Sequence, residues 1–196
     1  ETATSPFQIM RFDNSGINQI TNNTIFNASR PTVSGYVRIN NAGMMVWNEF
    51  DGHDYEIFFY DGAIHQITNN NFDDHWPRIN ASGSLVWHGY VDSDYEIFLY
   101  DGSTVHQKTD NAIHDLHPDI NADGNIAWHR WDGNDYEIVF DNGTSIVPIT
   151  NNTFDDLVVD IFGNQLVWYG YEGGSNFYGG TDAEAFFYDG LTVNQL

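Results

Sequence analysis

The apolar positions of this chain come in short bursts, and the bursts repeat. "RINNAGMMVW" at Arg38 leads into an aromatic residue and an acidic turn, then "DYEIFFYDG" from Asp54, then "HQITNN" from His65. The second copy reads "RINASGSLVW…DYEIFLYDG…HQKTDN", the third "DINADGNIAW…DYEIVFDNG…VPITNN" and the fourth "DIFGNQLVW…DAEAFFYDG…VNQL". Trp47, Trp87, Trp128 and Trp168 mark the copies at spacings of 40, 41 and 40 residues. A partial copy, "FQIMRFDNSGINQITNN" from Phe7, matches only the second half of the unit.

Each unit holds four apolar runs. "NAG", "ASG" and "ADG" part the first run from the second, and "DG" or "NG" parts the third from the fourth. Such dipeptides supply the positive φ that tight hairpins need. The runs are rich in β-branched and aromatic residues, and hardly any segment keeps a helical period. Four strands per unit of about 40 residues is the pattern of a propeller blade. Second strands are expected around Val46, Val86, Ala127 and Val167.

The unit resembles the blades of TolB-like and WD-repeat β-propellers. There an "SPDG"-like turn follows the inner strand and an "EIYVMD"-like third strand comes next; here "NASG" and "YEIFLYD" hold those places. The resemblance covers nearly the whole chain. It implies an all-β fold: a propeller of four-stranded antiparallel blades, of five-bladed type, with a partial N-terminal blade. The expected single domain, 1–196, holds a partial blade at 6–23 and blades at 36–70, 77–111, 117–152 and 157–196. One more hairpin beyond Leu196 would join the partial blade and close the ring; an open blade edge would invite self-association. The Trp of each "VW" is expected between neighbouring blades.

Composition narrows the chemistry. There is no cysteine, hence no disulfide and no thiolate metal site. Twenty-eight acids stand against six Lys plus Arg, a formal charge of -22. That balance excludes a phosphate-backbone partner and favours cations or plain solubility. No apolar run is long enough to span a bilayer, so no membrane insertion is expected. Few lysines and many Asn, Gly and Thr suit an extracellular or cell-surface protein.

The acids gather in loops that blade geometry puts on one rim. Asp51, Asp54, Asp92, Asp94, Asp132 and Asp135 lie between second and third strands, and further acids, with His75, His114 and His117, lie between blades. Oxygen-rich loops of this kind suit calcium, which takes six to eight hard ligands. The competing reading is that Asp merely opens turns by accepting backbone N–H groups. The resemblance to WD-type blades gives His75 and His117 structural roles.

Two segments outgrow their repeat partners, 24–35 and 172–182, both on the same rim. Asn27, Arg30, Tyr171, Asn176, Phe177, Tyr178 and Asp182 are the candidate ligand residues there, aromatic faces for a sugar with polar groups for its hydroxyls. No Ser-His-Asp order, phosphate-cradling loop or flavin motif is visible. The leading expectation is a secreted, non-enzymatic module for carbohydrate or another surface ligand, with calcium as support. A polysaccharide hydrolase or lyase stands as the alternative, since paired carboxylates are plentiful. A surface repeat with no small-molecule ligand is the third reading.

Overall fold

The computed structural model describes residues 7–23, 36–171 and 183–196. Their strands form five antiparallel sheets, four of four strands and one of two. The two-stranded sheet comes first, β1 Met10–Asp13 with β2 Gly16–Gln19. Blade A holds β3 Arg38–Ile39, β4 Met45–Phe50, β5 Tyr55–Tyr60 and β6 Ile64–Gln66. Blade B holds β7 Asp74–Ile79, β8 Leu85–Val91, β9 Asp94–Tyr100 and β10 Val105–Gln107. Blade C holds β11 Asp115–Ile120, β12 Ile126–Trp131, β13 Tyr136–Asp141 and β14 Ile146–Pro148. Blade D holds β15 Asp156–Phe162, β16 Gln165–Gly170, β17 Glu184–Tyr188 and β18 Val193–Gln195. Every blade is a meander in chain order, and Val46, Val86, Ala127 and Val167 sit in its second strand. Among the described residues no helix is long and apolar enough to cross a membrane.

The first turn of each blade explains its sequence. Asn80 Oδ1 accepts the amides of Ser82 and Ser84, and Gly83 takes a φ of 92°. Asn40 and Asn121 close their turns in the same way. The other end of the same amide ties blades together. Asn40 Nδ2 donates to Asn80 O, Asn80 Nδ2 to Asn121 O, and Asn121 Nδ2 to Gly163 O, at 2.7–3.1 Å. One residue type therefore sets both the hairpin and the blade spacing.

The core lies between blades rather than within them. Val46, Ile57 and Phe59 of blade A pack with Leu85, Trp87 and Phe98 of blade B. The B/C and C/D junctions repeat this around Trp128 and Trp168, and Ile9 of the two-stranded sheet packs on Trp47. Each Trp thus faces the preceding sheet, between neighbouring blades. A sheet with two apolar faces needs a neighbour on each side, which is why the unit repeats. Blade D shows the converse. Val167 is 43% exposed where Val46, Val86 and Ala127 are fully buried, and Tyr169 is 51% exposed where Asn48, His88 and His129 are buried.

Candidate functional site

The loops between second and third strands share a rim with the blade crossovers. Tyr90 N donates to Asp73 O, Trp131 N to His114 O, and Tyr171 N to Asp155 O. The crossovers are pinned by a network that recurs at three junctions. Glu56 Oε1 accepts Asn70 N, Asn70 Nδ2 donates to Asp74 Oδ2, and Trp87 Nε1 donates to Asp74 Oδ1. Glu96, Asn111, Asp115 and Trp128 repeat it, as do Glu137, Asn152, Asp156 and Trp168. Thr68, Thr109 and Thr150 each accept a third-strand amide through Oγ1. The repeated Thr-x-Asn, the Glu of Asp-Tyr-Glu, the crossover Asp and the Trp are one inter-blade circuit. Burial drives the carboxyl of Asp74 up to about 7 and that of Asp156 up to about 6.

Beside this circuit lie two groups of acids. Asp51 Oδ1 accepts the amides of His53 and Asp54, and Asp132 Oδ1 those of Asn134 and Asp135. These turns need Gly52 and Gly133 at φ 121° and 109°. They fold the chain so that carboxylate oxygens of Asp51, Asp54 and Glu56 lie within 4.8 Å of one another, and likewise those of Asp132, Asp135 and Glu137. The next blade brings a further acid to each group. Asp73 Oδ1 accepts Tyr55 N, and Asp155 Oδ1 accepts Tyr136 N. Glu56 Oε2, Glu137 Oε2 and both carboxylate oxygens of Asp135 are buried with no hydrogen-bond partner. Burial first, and neighbouring acids second, raise the carboxyls of Asp54 and Asp135 above the usual range. Desolvation also raises those of Glu56 and Glu137.

Blade B differs. Val91 replaces the turn-opening aspartate, so Asp92 and Ser93 make a two-residue hairpin with φ of 52° and 110°. Asp92 is exposed and Asp94 half-buried, and among the described residues neither joins such a group. Thus four of the six sequence-predicted metal residues come together, Asp51 with Asp54 and Asp132 with Asp135. Sequence reasoning left Glu56 and Glu137 out of the ligand set. Their signal was present: each stands two residues after the last loop aspartate, at the second position of the third strand.

The histidines serve the blade contacts. His75 Nδ1 lies 3.1 Å from Asn48 Nδ2, and His114 Nδ1 accepts Tyr95 N. His117 donates its amide to His88 Nδ1, and its ring meets His129 Nε2 at 3.0 Å. Desolvation holds His88 and His129 well below the usual imidazole range and His117 down at about 4. Trp76, His117 and Val158 occupy equivalent bulges in the inner strands, each with φ between 51° and 57°. Of the candidate ligand residues, Tyr171 is half-buried beside the C/D crossover. Asn27, Arg30, Asn176, Phe177, Tyr178 and Asp182 lie outside the described residues.

No protein-family model matches the sequence, and no curated protein matches it either. Solved structures do. TolB from Agrobacterium tumefaciens superposes with a TM-score of 0.72 at 17% identity, over 96% of this chain and 73% of that one. The fold is that of a TolB-like β-propeller. TolB from Acinetobacter baumannii gives 0.61 at 17% identity, over 89% of this chain and 43% of that one. The propeller domain of the Trilobed protease from Pyrococcus furiosus, described as having an open velcro topology, gives 0.60 at 16%, over 83% and 54%. This TolB-like propeller therefore spans only part of the length of its structural neighbours. At such identities they speak for the fold alone.

Proposed function

We propose that this TolB-like propeller is a non-enzymatic binding module of the cell exterior, taking carbohydrate or another surface ligand, with calcium as its structural support. The observation that carries this reading is a pair of rim acid groups, each holding at least one buried carboxylate oxygen with no hydrogen-bond partner. A divalent cation relieves the repulsion of carboxylates crowded in this way, and an all-oxygen donor set suits calcium. The acids of the Trp circuit recur at successive junctions with the same partners, which favours scaffolding over general acid–base work.

We assign the ligand to the rim on which the two outgrown segments are expected. Tyr171 opens the second of them beside the C/D crossover, next to the second acid group. Aromatic residues there offer faces for a sugar ring, and the neighbouring amides and acids suit its hydroxyls. The test is a glycan array probed in calcium with the wild-type chain and with Phe177→Ala/Tyr178→Ala. Loss of array binding at an unchanged melting temperature supports the reading. Undiminished binding by the double variant overturns it.

A further inference from the structure

We infer that this propeller holds two calcium-type cations, each bridging a blade junction, A/B and C/D, and that the B/C junction is the same site with two of its four acids replaced. The inference rests on the calcium reading above and deepens it by fixing the number, the ligands and the place of the ions. The carboxylate groups are Asp51, Asp54 and Glu56 in blade A and Asp132, Asp135 and Glu137 in blade C. Asp73 and Asp155 of the next blade stand outside these groups but near enough to raise the carboxyls of Asp54 and Asp135, and we assign them as the bridging ligands.

Acidic loops are common without ions, so the groups alone prove little. Buried oxygens give a separate argument. Glu56 is fully buried, and Asp135 and Glu137 are 5% exposed. Glu56 Oε1 and Glu137 Oε1 are satisfied by the amides of Asn70 and Asn152, while Oε2 of each has no hydrogen-bond partner. Leaving a buried charged acceptor without a partner is costly, and several in one group multiply that cost through mutual repulsion. A divalent cation removes both terms at once.

The middle junction supplies an internal control. Asp94 and Glu96 stay in place, but both flanking acids are gone: Val91 stands for Asp51 and Asp132, and His114 for Asp73 and Asp155. These two positions belong to different blades. The backbone duty of the second survives the change, since His114 Nδ1 accepts Tyr95 N as Asp73 accepts Tyr55 N. Only the negative charge has been dropped. If Asp73 and Asp155 were there solely to hold that amide, nothing would link their replacement to the loss of an acid on the neighbouring blade. A shared ion links them. Without one loop carboxylate the ion binds poorly, and the acid facing it becomes a liability. Glu96 Oε2, with Asn111 Nδ2 at 3.5 Å, is accordingly not among the unsatisfied atoms.

The donors are all carboxylate oxygens, hard ligands that suit calcium and leave soft or nitrogen-seeking metals little to hold. Acids from two blades make each ion a clamp between sheets that otherwise meet through side-chain packing and side-chain-to-backbone hydrogen bonds.

The experiment is isothermal titration of calcium chloride into chelator-stripped wild-type chain and three variants. The wild type is expected to take two ions. Glu56→Gln and Glu137→Gln each keep the amide-accepting oxygen and are each expected to lose one ion. Val91→Asp/Asp92→Gly/His114→Asp restores the full motif in blade B and is expected to gain one. A wild-type stoichiometry other than two overturns the inference, as does a Glu→Gln variant that retains both ions. A folded triple variant with no added ion does the same. Should the triple variant fail to fold, the two Glu→Gln variants still decide. If the wild type takes no calcium at all, the calcium support proposed above fails with it, whereas one ion or three would sink only the bridging pair.

Discussion

The indole of Trp87 donates to Asp74 Oδ1 at 2.9 Å, across two strands of blade B and against the face of blade A. Asp74 accepts Asn70 Nδ2 with its other oxygen, so a single buried carboxyl satisfies donors from the core and from the crossover. Asp74→Ala strands both donors in a fully buried place and should cost about 2–4 kcal/mol. Asp115 carries more. It accepts Trp128, Asn111 and a forked pair of bonds from Arg130. Asp115→Ala leaves a half-buried guanidinium unpaired and should cost about 3–5 kcal/mol. Urea unfolding of the two variants checks both the size and the order.

Gly89 predicts a steric cost. A Cβ there would meet Asp74 Oδ1 at 2.6 Å and Phe72 Cε2 at 2.8 Å. Blade C bears Arg130 at the equivalent position and has Ile113 where blade B has Phe72. Phe98, whose Cε2 that Cβ would meet at 3.0 Å, is likewise replaced by the smaller Val139, so two smaller residues make the room. Gly89→Ala should therefore destabilise by about 1–3 kcal/mol, and Phe72→Ile should relieve part of that loss in the double variant. Additive costs in a double-mutant cycle would show that Phe72 is not what excludes the side chain.

Backbone strain predicts a gain. Val158 has a φ of 57°, a region that a β-branched residue rarely enters, and its side chain is 38% exposed. Val158→Gly should raise stability by about 0.5–1 kcal/mol, because relief of the left-handed strain exceeds the entropy that Gly loses on folding. A fall in melting temperature would mean that the valine's packing outweighs its strain.

Buried imidazoles set a slope with pH. His88, His117 and His129 are neutral when folded, through desolvation first, with nearby cationic groups adding to it. The unfolded chain takes up protons at these positions near pH 6.5. Their contribution is thus full above that pH and is lost as the pH falls through the lowered folded values. The raised carboxyls of Asp74 and Asp156 act oppositely: their contribution is present below the usual carboxylate range and is lost as the pH rises through about 6 to 7. His129→Gln should reduce the acid-side slope of unfolding free energy by about one proton, measured by urea titrations between pH 7 and pH 5. An unchanged slope would mean that His129 is already charged in the fold.

Much of this was legible in the chain. The 40-residue period, the turn glycines and the β-branched runs gave the blades, because local turn chemistry and strand patterning agree with the fold at every step. The aspartates of the loops were visible as a class. Their grouping was not, because proximity depends on a Gly turn in blades A and C that Val91 denies to blade B. Glu56 and Glu137 read as ordinary strand residues until the crossover Asn was seen to occupy only one of their two oxygens. His88 and His129 were missed because a histidine after a core Trp looks like surface alternation, whereas the next blade covers that face.

The most direct test of the account is the melting temperature of the stripped chain in millimolar calcium chloride against sodium chloride of equal ionic strength. Screening relieves repulsion between exposed acids in both salts alike, but only an ion that enters the rim groups can satisfy their buried oxygens. The account predicts a clearly larger rise in calcium, abolished by Glu56→Gln/Glu137→Gln. Equal shifts in the two salts would contradict it.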